Sequence, residues 1–257
     1  MNIFGALGTN CVRALVGGAL LLTSAALNAE PVDIQLGKAM PRFEKLKPGT
    51  RYYLRYFIRK DGIASPGDLQ KKEVRFEEKD GKKRLRILQD WVGNSGSLHL
   101  DSWFEDKTFR PLTHQRDLTK DGAVKREGFQ FLPDKVIGIA DQADNSRKDF
   151  AIAAPVPTFN FETDLETLQV LPLASGAEFR IVFYHPGGGA PAPYVFKVAG
   201  EETLKVAGVD IPTWLVTTDY NAPDKPPGRF WIAKDSQTVV RFEQELPDGR
   251  KIVKALL

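Results

Sequence analysis

Val74-Arg75-Phe76-Glu77, then Asp80-Gly81, then Arg84-Leu85-Arg86-Ile87: these few residues decide the fold. The two flanking runs alternate apolar and charged side chains, the period of a strand with one face against a core. Asp-Gly is a pair favoured at the tip of a two-residue hairpin, where both central residues take positive φ. Folding the chain there sets Val74 opposite Ile87 and Phe76 opposite Leu85 on one face, with Glu77 opposite Arg84 on the other. A slip of one residue would turn every side chain to the wrong face, so alternation and charge pairing support one register.

The same test at Asp121-Gly122 pairs Asp117 with Arg126, Arg116 with Glu127, His114 with Phe129 and Leu112 with Phe131. At Asp248-Gly249 it pairs Glu243 with Lys254 and Phe242 with Ala255. Further strands are predicted over 51–59, 97–104, 135–140, 177–185, 194–200, 211–219 and 229–234. Turn residues recur roughly every 8 to 15 positions, the spacing of an all-β, mainly antiparallel domain with about 10–12 strands. One segment departs from the pattern. Over 161–171 the apolar residues Phe161, Leu165, Leu168 and Leu171 fall at helical spacing, acidic residues crowd the first turn, and Pro172 stops it. A single short helix among many strands predicts a plug on a curved sheet rather than a βαβ enzyme.

Upstream, Arg13 is the only charged residue before Glu30, and the apolar run from Ala14 to Leu22 leads to Leu27-Asn28-Ala29. That order describes a cleaved export signal over 1–29, and the run is shorter than the roughly 20 residues a membrane helix needs. The one cysteine, Cys11, precedes the run. A chain starting near Glu30 therefore has no thiol, which excludes disulfides, cysteine nucleophiles and cysteine-ligated metal. Residues 30–257 read as one domain, long enough to bury a core. The chain has 36 basic and 33 acidic residues, a balance that does not argue for nucleic acid.

The order of several segments resembles a known family. Gly49-Thr50-Arg51-Tyr52-Tyr53-Leu54 comes first, then Trp103-Phe104-Glu105-Asp106 leading to Arg110-Pro111-Leu112. Leu171-Pro172-Leu173-Ala174-Ser175-Gly176 follows, and Phe230-Trp231-Ile232-Ala233-Lys234-Asp235 runs into the last hairpin. Over roughly Pro48 to Leu257 the chain is similar to domain of unknown function 3108, a bacterial envelope family whose members look like the lipoprotein-carrier (LolA/LolB-like) half-barrels. It departs from that pattern at Thr238-Val239-Val240, where a proline is expected. The resemblance implies a half-open antiparallel barrel wrapped around a helix and exported to the periplasm, with no established catalytic residues to carry over.

Candidate chemistry is sparse. If Asp106-Lys107 turns the chain, His99 lies opposite His114, with Asp101 opposite Leu112 and Trp103 opposite Arg110. His99, His114 and Asp101 would then be the one set able to ligate a metal, against a plain reading as polar residues on a sheet. No metal or cofactor is assigned. His185, ahead of Pro186, reads as a surface residue. Gly187-Gly188-Gly189 lacks the Lys-Ser/Thr of a phosphate loop and reads as a hairpin tip. Gly93-Asn94-Ser95-Gly96-Ser97 lacks the closing glycine of a nucleophile elbow. No catalytic residue is assigned.

Trp103, Leu112, Phe129 and Phe131 share a face in these registers, and Leu165 and Leu168 lie on the helix stripe. They are either core or the lining of an apolar ligand cavity. Trp214 and Trp231 could join either. Between Lys71 and Arg86 stand eight basic and four acidic residues, a solvated hairpin face or a patch for transient contact with an anionic membrane surface. Two functions follow: a non-catalytic periplasmic carrier of a lipid or other apolar ligand, or an envelope scaffold acting through protein–protein contacts.

Overall fold

The hairpin at Asp80-Gly81 forms in the expected register, with Val74 opposite Ile87, Phe76 opposite Leu85 and Glu77 opposite Arg84. Val74, Leu85 and Ile87 are fully buried, and both turn residues take positive φ, as the turn type requires. This computed structural model describes residues 30–257, so the predicted export signal lies outside the described residues. The strands are β1 (Val32–Asp33), β2 (Gly49–Ile58), β3 (Ala64–Lys79), β4 (Lys82–Gly93), β5 (Gly96–Glu105), β6 (Pro111–Lys120), β7 (Ala123–Phe131) and β8 (Lys135–Gly138). They continue as β9 (Ala151–Ala153), β10 (Phe159–Asn160), β11 (Glu178–Tyr184), β12 (Ala192–Val206), β13 (Val209–Thr218), β14 (Gly228–Ala233), β15 (Val239–Glu245) and β16 (Lys251–Leu256).

All sixteen belong to one sheet, ordered β1-β11-β12-β13-β14-β15-β16-β2-β3-β4-β5-β6-β7-β8-β9, with β10 also on β11. The pairing is antiparallel except where β1 and β10 join β11 in parallel. The two ends of the order do not pair, so the architecture is the expected half-open barrel. The excess over the expected strand count comes from elements such as β1, β9 and β10, whose two or three residues are too short to show a period.

A 3-10 turn at Phe161–Thr163 and the helix α1 (Asp164–Gln169) occupy the concave side. Leu165 and Leu168 join the main core with Val74, Leu85, Ile87 and Phe104 of the facing strands. The polar face of the helix is enclosed as well, for Glu166, Thr167 and Gln169 are all buried. Each has a partner, as buried polar groups must. Lys72 Nζ lies 2.9 Å from Glu166 Oε2, the Thr167 hydroxyl donates to the Thr163 carbonyl, and Gln169 Nε2 donates to the Lys45 carbonyl at 2.9 Å. From β4, Gln89 Nε2 donates to the Glu162 carbonyl at 2.7 Å, and from the β14–β15 turn Gln237 Nε2 donates to that of Leu171 at 2.8 Å. The helix is thus held by hydrogen bonds on flanks that hydrophobic burial alone would leave free to rotate.

The hairpin at Asp121-Gly122 keeps its expected charge pairs and His114 opposite Phe129. The last hairpin does not keep its register: Glu243 faces Val253, and Phe242 faces Lys254. Pro247 is the reason. It has no N–H to close a two-residue turn, so the loop lengthens to Pro247-Asp248-Gly249, with Leu246 N–H on the Arg250 carbonyl and Gly249 at φ +75. The β5–β6 connection also differs. Glu105 pairs with Arg110 across the loop, and a bulge between Trp103 and Phe104 shifts the rest, placing Ser102 opposite His114 and His99 opposite Asp117.

Candidate functional site

The inward positions of β3 and β4 carry more than apolar residues. Counting back from Val74 by twos reaches Lys72 and Gln70, and counting on from Ile87 reaches Gln89 and Trp91. Lys72 and Gln70 are buried, and the Lys72–Glu166 ion pair has side chains only 2% and 6% exposed. An ion pair so deep is weak evidence for stability, because desolvation offsets most of the attraction.

Beside this pair, at the N-terminal end of α1, a cavity of about 370 Å³ opens across the concave face. Its charged lining is Arg55, Lys72 and Lys254 against Glu162 and Asp164. Most of these charges have partners: Arg55 binds Asp68, Lys72 binds Glu166, and Arg116 lies 3.6 Å from Glu162. Lys254 and Asp164 differ. Among the described residues neither has an oppositely charged group within ion-pair distance, and the Asp164 carboxylate accepts only the Leu165 N–H, at 2.8 Å. They do feel each other's field. Burial pushes the Asp164 carboxyl above its ordinary range, opposed by Lys254 and Lys72. Burial also brings the Lys254 ammonium down to about 8, with Lys72 adding to the effect and Asp164 opposing it. The Arg55 Nε is buried and lacks a hydrogen-bond partner among the described residues. Arg55 and Lys254 both approach the Trp91 ring, at 5.4 and 5.5 Å.

Much of the remaining lining is aromatic. Phe161, Tyr194 and Tyr220 form a triangle with centroids 5.9, 6.0 and 6.1 Å apart. His185 stacks on Phe161 at 3.8 Å, and its Nε2 lies 3.1 Å from the Tyr194 hydroxyl. Burial, and after it the Asp164 charge, lifts the Tyr220 phenol well above its usual range, while burial lowers the His185 imidazole. The site therefore combines a ring cluster, an unpaired carboxylate and an unpaired ammonium around open space.

The residues singled out in the sequence fall elsewhere. Trp103 points to the outer face, because the inward residues of β5 are Leu100, Ser102 and Phe104; Lys79 and Arg86 cover its ring at 4.2 and 4.8 Å. Leu112 is the extra residue of the bulge and is half-buried. Phe129 and Phe131 are buried with Val136, Ala154 and Tyr184 in a second core cluster. Leu165 and Leu168 are core. None of the six lines the cavity beside α1, and Phe131 borders a smaller one of about 120 Å³.

The three candidate metal ligands are not brought together. His114 is fully buried, with Nδ1 near Ser102 Oγ at 2.8 Å and Asn160 Nδ2 at 3.2 Å. His99 is exposed and bonds Asp90 at 2.7 Å, while Asp101 accepts two bonds from Arg86. No metal-holding group occurs among the described residues. His185 is exposed, as expected of a surface residue, yet it rims the cavity. In the basic segment, Arg75 pairs with Glu73 and Arg86 with Asp101.

A larger groove of about 750 Å³ runs between the β12–β13 hairpin and the C-terminal strand, lined mainly by residues that alternate with the inward ones. No helix among the described residues is long and apolar enough to cross a membrane.

The family described as a protein of unknown function (DUF3108) matches residues 66–257. No curated protein matches the chain. Among solved structures, a β-barrel-like protein of domain of unknown function DUF1849 from Brucella abortus is similar over 82% of this chain and 96% of its own, at 8% identity and a TM-score of 0.50. The hypothetical lipoprotein YmcC from Escherichia coli covers 86% of this chain and 88% of its own, at 15% identity and a TM-score of 0.28. The first likeness concerns the fold alone.

Proposed function

We propose that this chain, which belongs to the DUF3108 family of proteins of unknown function, is an exported periplasmic binding protein that takes a lipid or similar amphipathic ligand on the concave side of its half-barrel. The observation that carries this reading is the cavity of about 370 Å³ beside α1, walled by rings and by two charges, Lys254 and Asp164, that have no ion-pair partner among the described residues. Its size falls in the lower part of the range of about 300–1,000 Å³ in which proteins hold small ligands. Leaving a half-desolvated lysine and a carboxylate without partners works against stability, and such groups are found where a ligand completes them. Export is supported by the basic, apolar and small-residue order of 1–29. The site is read as one for binding, with no catalytic role assigned to its residues.

Native mass spectrometry of protein purified from its own envelope tests this. A co-purifying lipid that short-chain phospholipid displaces is the expected result. A stoichiometric protein partner with an empty cavity would instead favour the scaffold function, through the unpaired sheet edges.

A further inference from the structure

Building on the lipid-binding reading, we propose that this cavity receives a zwitterionic phospho-ammonium headgroup, its ammonium against Asp164 and the Phe161–Tyr194–Tyr220 rings, its phosphate at Lys254 and Arg55. Arg55, Lys72 and Glu162 each have an opposite charge beside them. Lys254 and Asp164 are the exceptions, they line the same cavity, and they are not in contact. A ligand with one charge of each sign, held apart by a short linker, would satisfy both at once. A simple anion would leave Asp164 facing a like charge, and a simple cation would do the same to Lys254.

The surroundings of each charge agree with that orientation. Asp164 acts on Tyr220, whose ring belongs to the Phe161–Tyr194–Tyr220 cluster in the same lining, and ring faces attract ammonium groups, strongly so when the site is desolvated. Lys254 shares its side of the lining with the donors of Arg55 and Lys72. Arg55 sits opposite it on β2, with its Nε buried and without a hydrogen-bond partner among the described residues. A guanidinium next to a lysine ammonium in one lining is a phosphate-binding combination. The apolar side chains of Phe242 and Ile252 complete the lining.

The shared chemistry, a phosphate joined to an ammonium, can come from a free small molecule or from a phospholipid headgroup, and binding measurements separate the two. The probes are glycerophosphoethanolamine, glycerol 3-phosphate and short-chain phosphatidylethanolamine, titrated into the processed protein while binding is read by calorimetry and by the tryptophan emission to which Trp91 of the lining contributes. Saturable binding of glycerophosphoethanolamine, at least tenfold tighter than glycerol 3-phosphate, is expected. Asp164→Asn keeps the acceptor for the Leu165 N–H and should erase that preference, with glycerol 3-phosphate binding as tightly as to wild type or tighter. Lys254→Met should weaken both probes tenfold or more. Short-chain lipid binding tenfold tighter than the free headgroup identifies a lipid source, and equal affinity identifies a soluble one. Thermal melts of each variant confirm that it is folded. Equal binding of both glycerol phosphates, or a preference that survives Asp164→Asn, overturns the headgroup proposal. If fatty acids bind saturably while neither headgroup probe does, this proposal fails and the lipid-binding reading stands. If nothing binds, both fail.

Discussion

Replacing Lys254 with methionine should make the protein more stable at neutral pH, an unusual outcome for a residue in the interior of a fold. Burial lowers the ammonium from 10.5 to about 8, with the neighbouring Lys72 adding to the effect. At roughly 1.4 kcal/mol per pH unit, that displacement corresponds to a ceiling of about 3 kcal/mol of destabilisation. The side chain is half-buried, so solvent screens part of it, and about 1–2 kcal/mol is the expected gain. Methionine is close to lysine in length and leaves no large void, so packing should change little. For a domain of this size the gain corresponds to a melting temperature higher by roughly 2–8 °C. The sign with pH follows from linkage. A base whose folded pKa lies below its unfolded value destabilises the fold while it is charged in both states, and stops doing so once it is neutral in both. The advantage of Lys254→Met should therefore be full below about pH 8 and shrink steadily as pH rises toward 10.5. Urea unfolding of both proteins at pH 7 and at pH 9.5 measures this. A variant less stable than wild type at pH 7, or an advantage unchanged at pH 9.5, would refute the claim that this lysine stands desolvated and unpaired.

Three further outcomes rest on separate parts of the fold. Lys72→Met or Glu166→Gln alone should cost about 3–5 kcal/mol, because each leaves its buried partner uncompensated; the double variant should recover much of that loss, which a double-mutant cycle in urea unfolding reads directly. His114 is held neutral by burial, with its pKa down at about 3, so the unfolded chain takes up a proton that the fold refuses. Stability should fall as pH drops from about 6.5 toward 3, by at most about 4–5 kcal/mol, and His114→Gln should flatten that slope; equal slopes would contradict the assignment. Phe131→Ala should cost about 3–5 kcal/mol without altering ligand affinity, since Phe131 packs on Tyr184 away from the cavity; weakened binding by a stable variant would place the site on the wrong part of the sheet.

How much of this was legible in the sequence follows from what a period of two can and cannot encode. Where two strands meet at a two-residue turn, alternation and charge pairing are independent witnesses of one register, and Asp80-Gly81 and Asp121-Gly122 both fold as that agreement requires. Where a loop is longer or a bulge intervenes, parity is lost. The longer β5–β6 loop moved His99 away from His114, and a bulge at Leu112 of β6, which has no compositional mark, left Trp103 on the face away from His114. The last hairpin did carry a mark. Pro247, ahead of Asp248-Gly249, cannot supply the N–H that a two-residue turn needs, and reading it would have moved the register by one.

That single residue bears on the site. In the two-residue register Lys254 faces Glu243, an unremarkable surface pair. In the observed one Glu243 instead pairs with Arg229, Arg241 and Lys251, and Lys254 turns inward beside Phe242. The rest of the site left a fainter trace. Lys72 shares the parity of Val74 and Phe76, so the hairpin that established the fold also placed a lysine on its apolar face, where an ordinary core would have another aliphatic residue. A charge at an inward position is a conflict between local pattern and global burial. Such conflicts concentrate at functional sites, because folding alone would not retain them. Asp164 and Tyr220 left no comparable signal, since one sits in a helix turn and the other in a loop, where no strand period tells inside from outside.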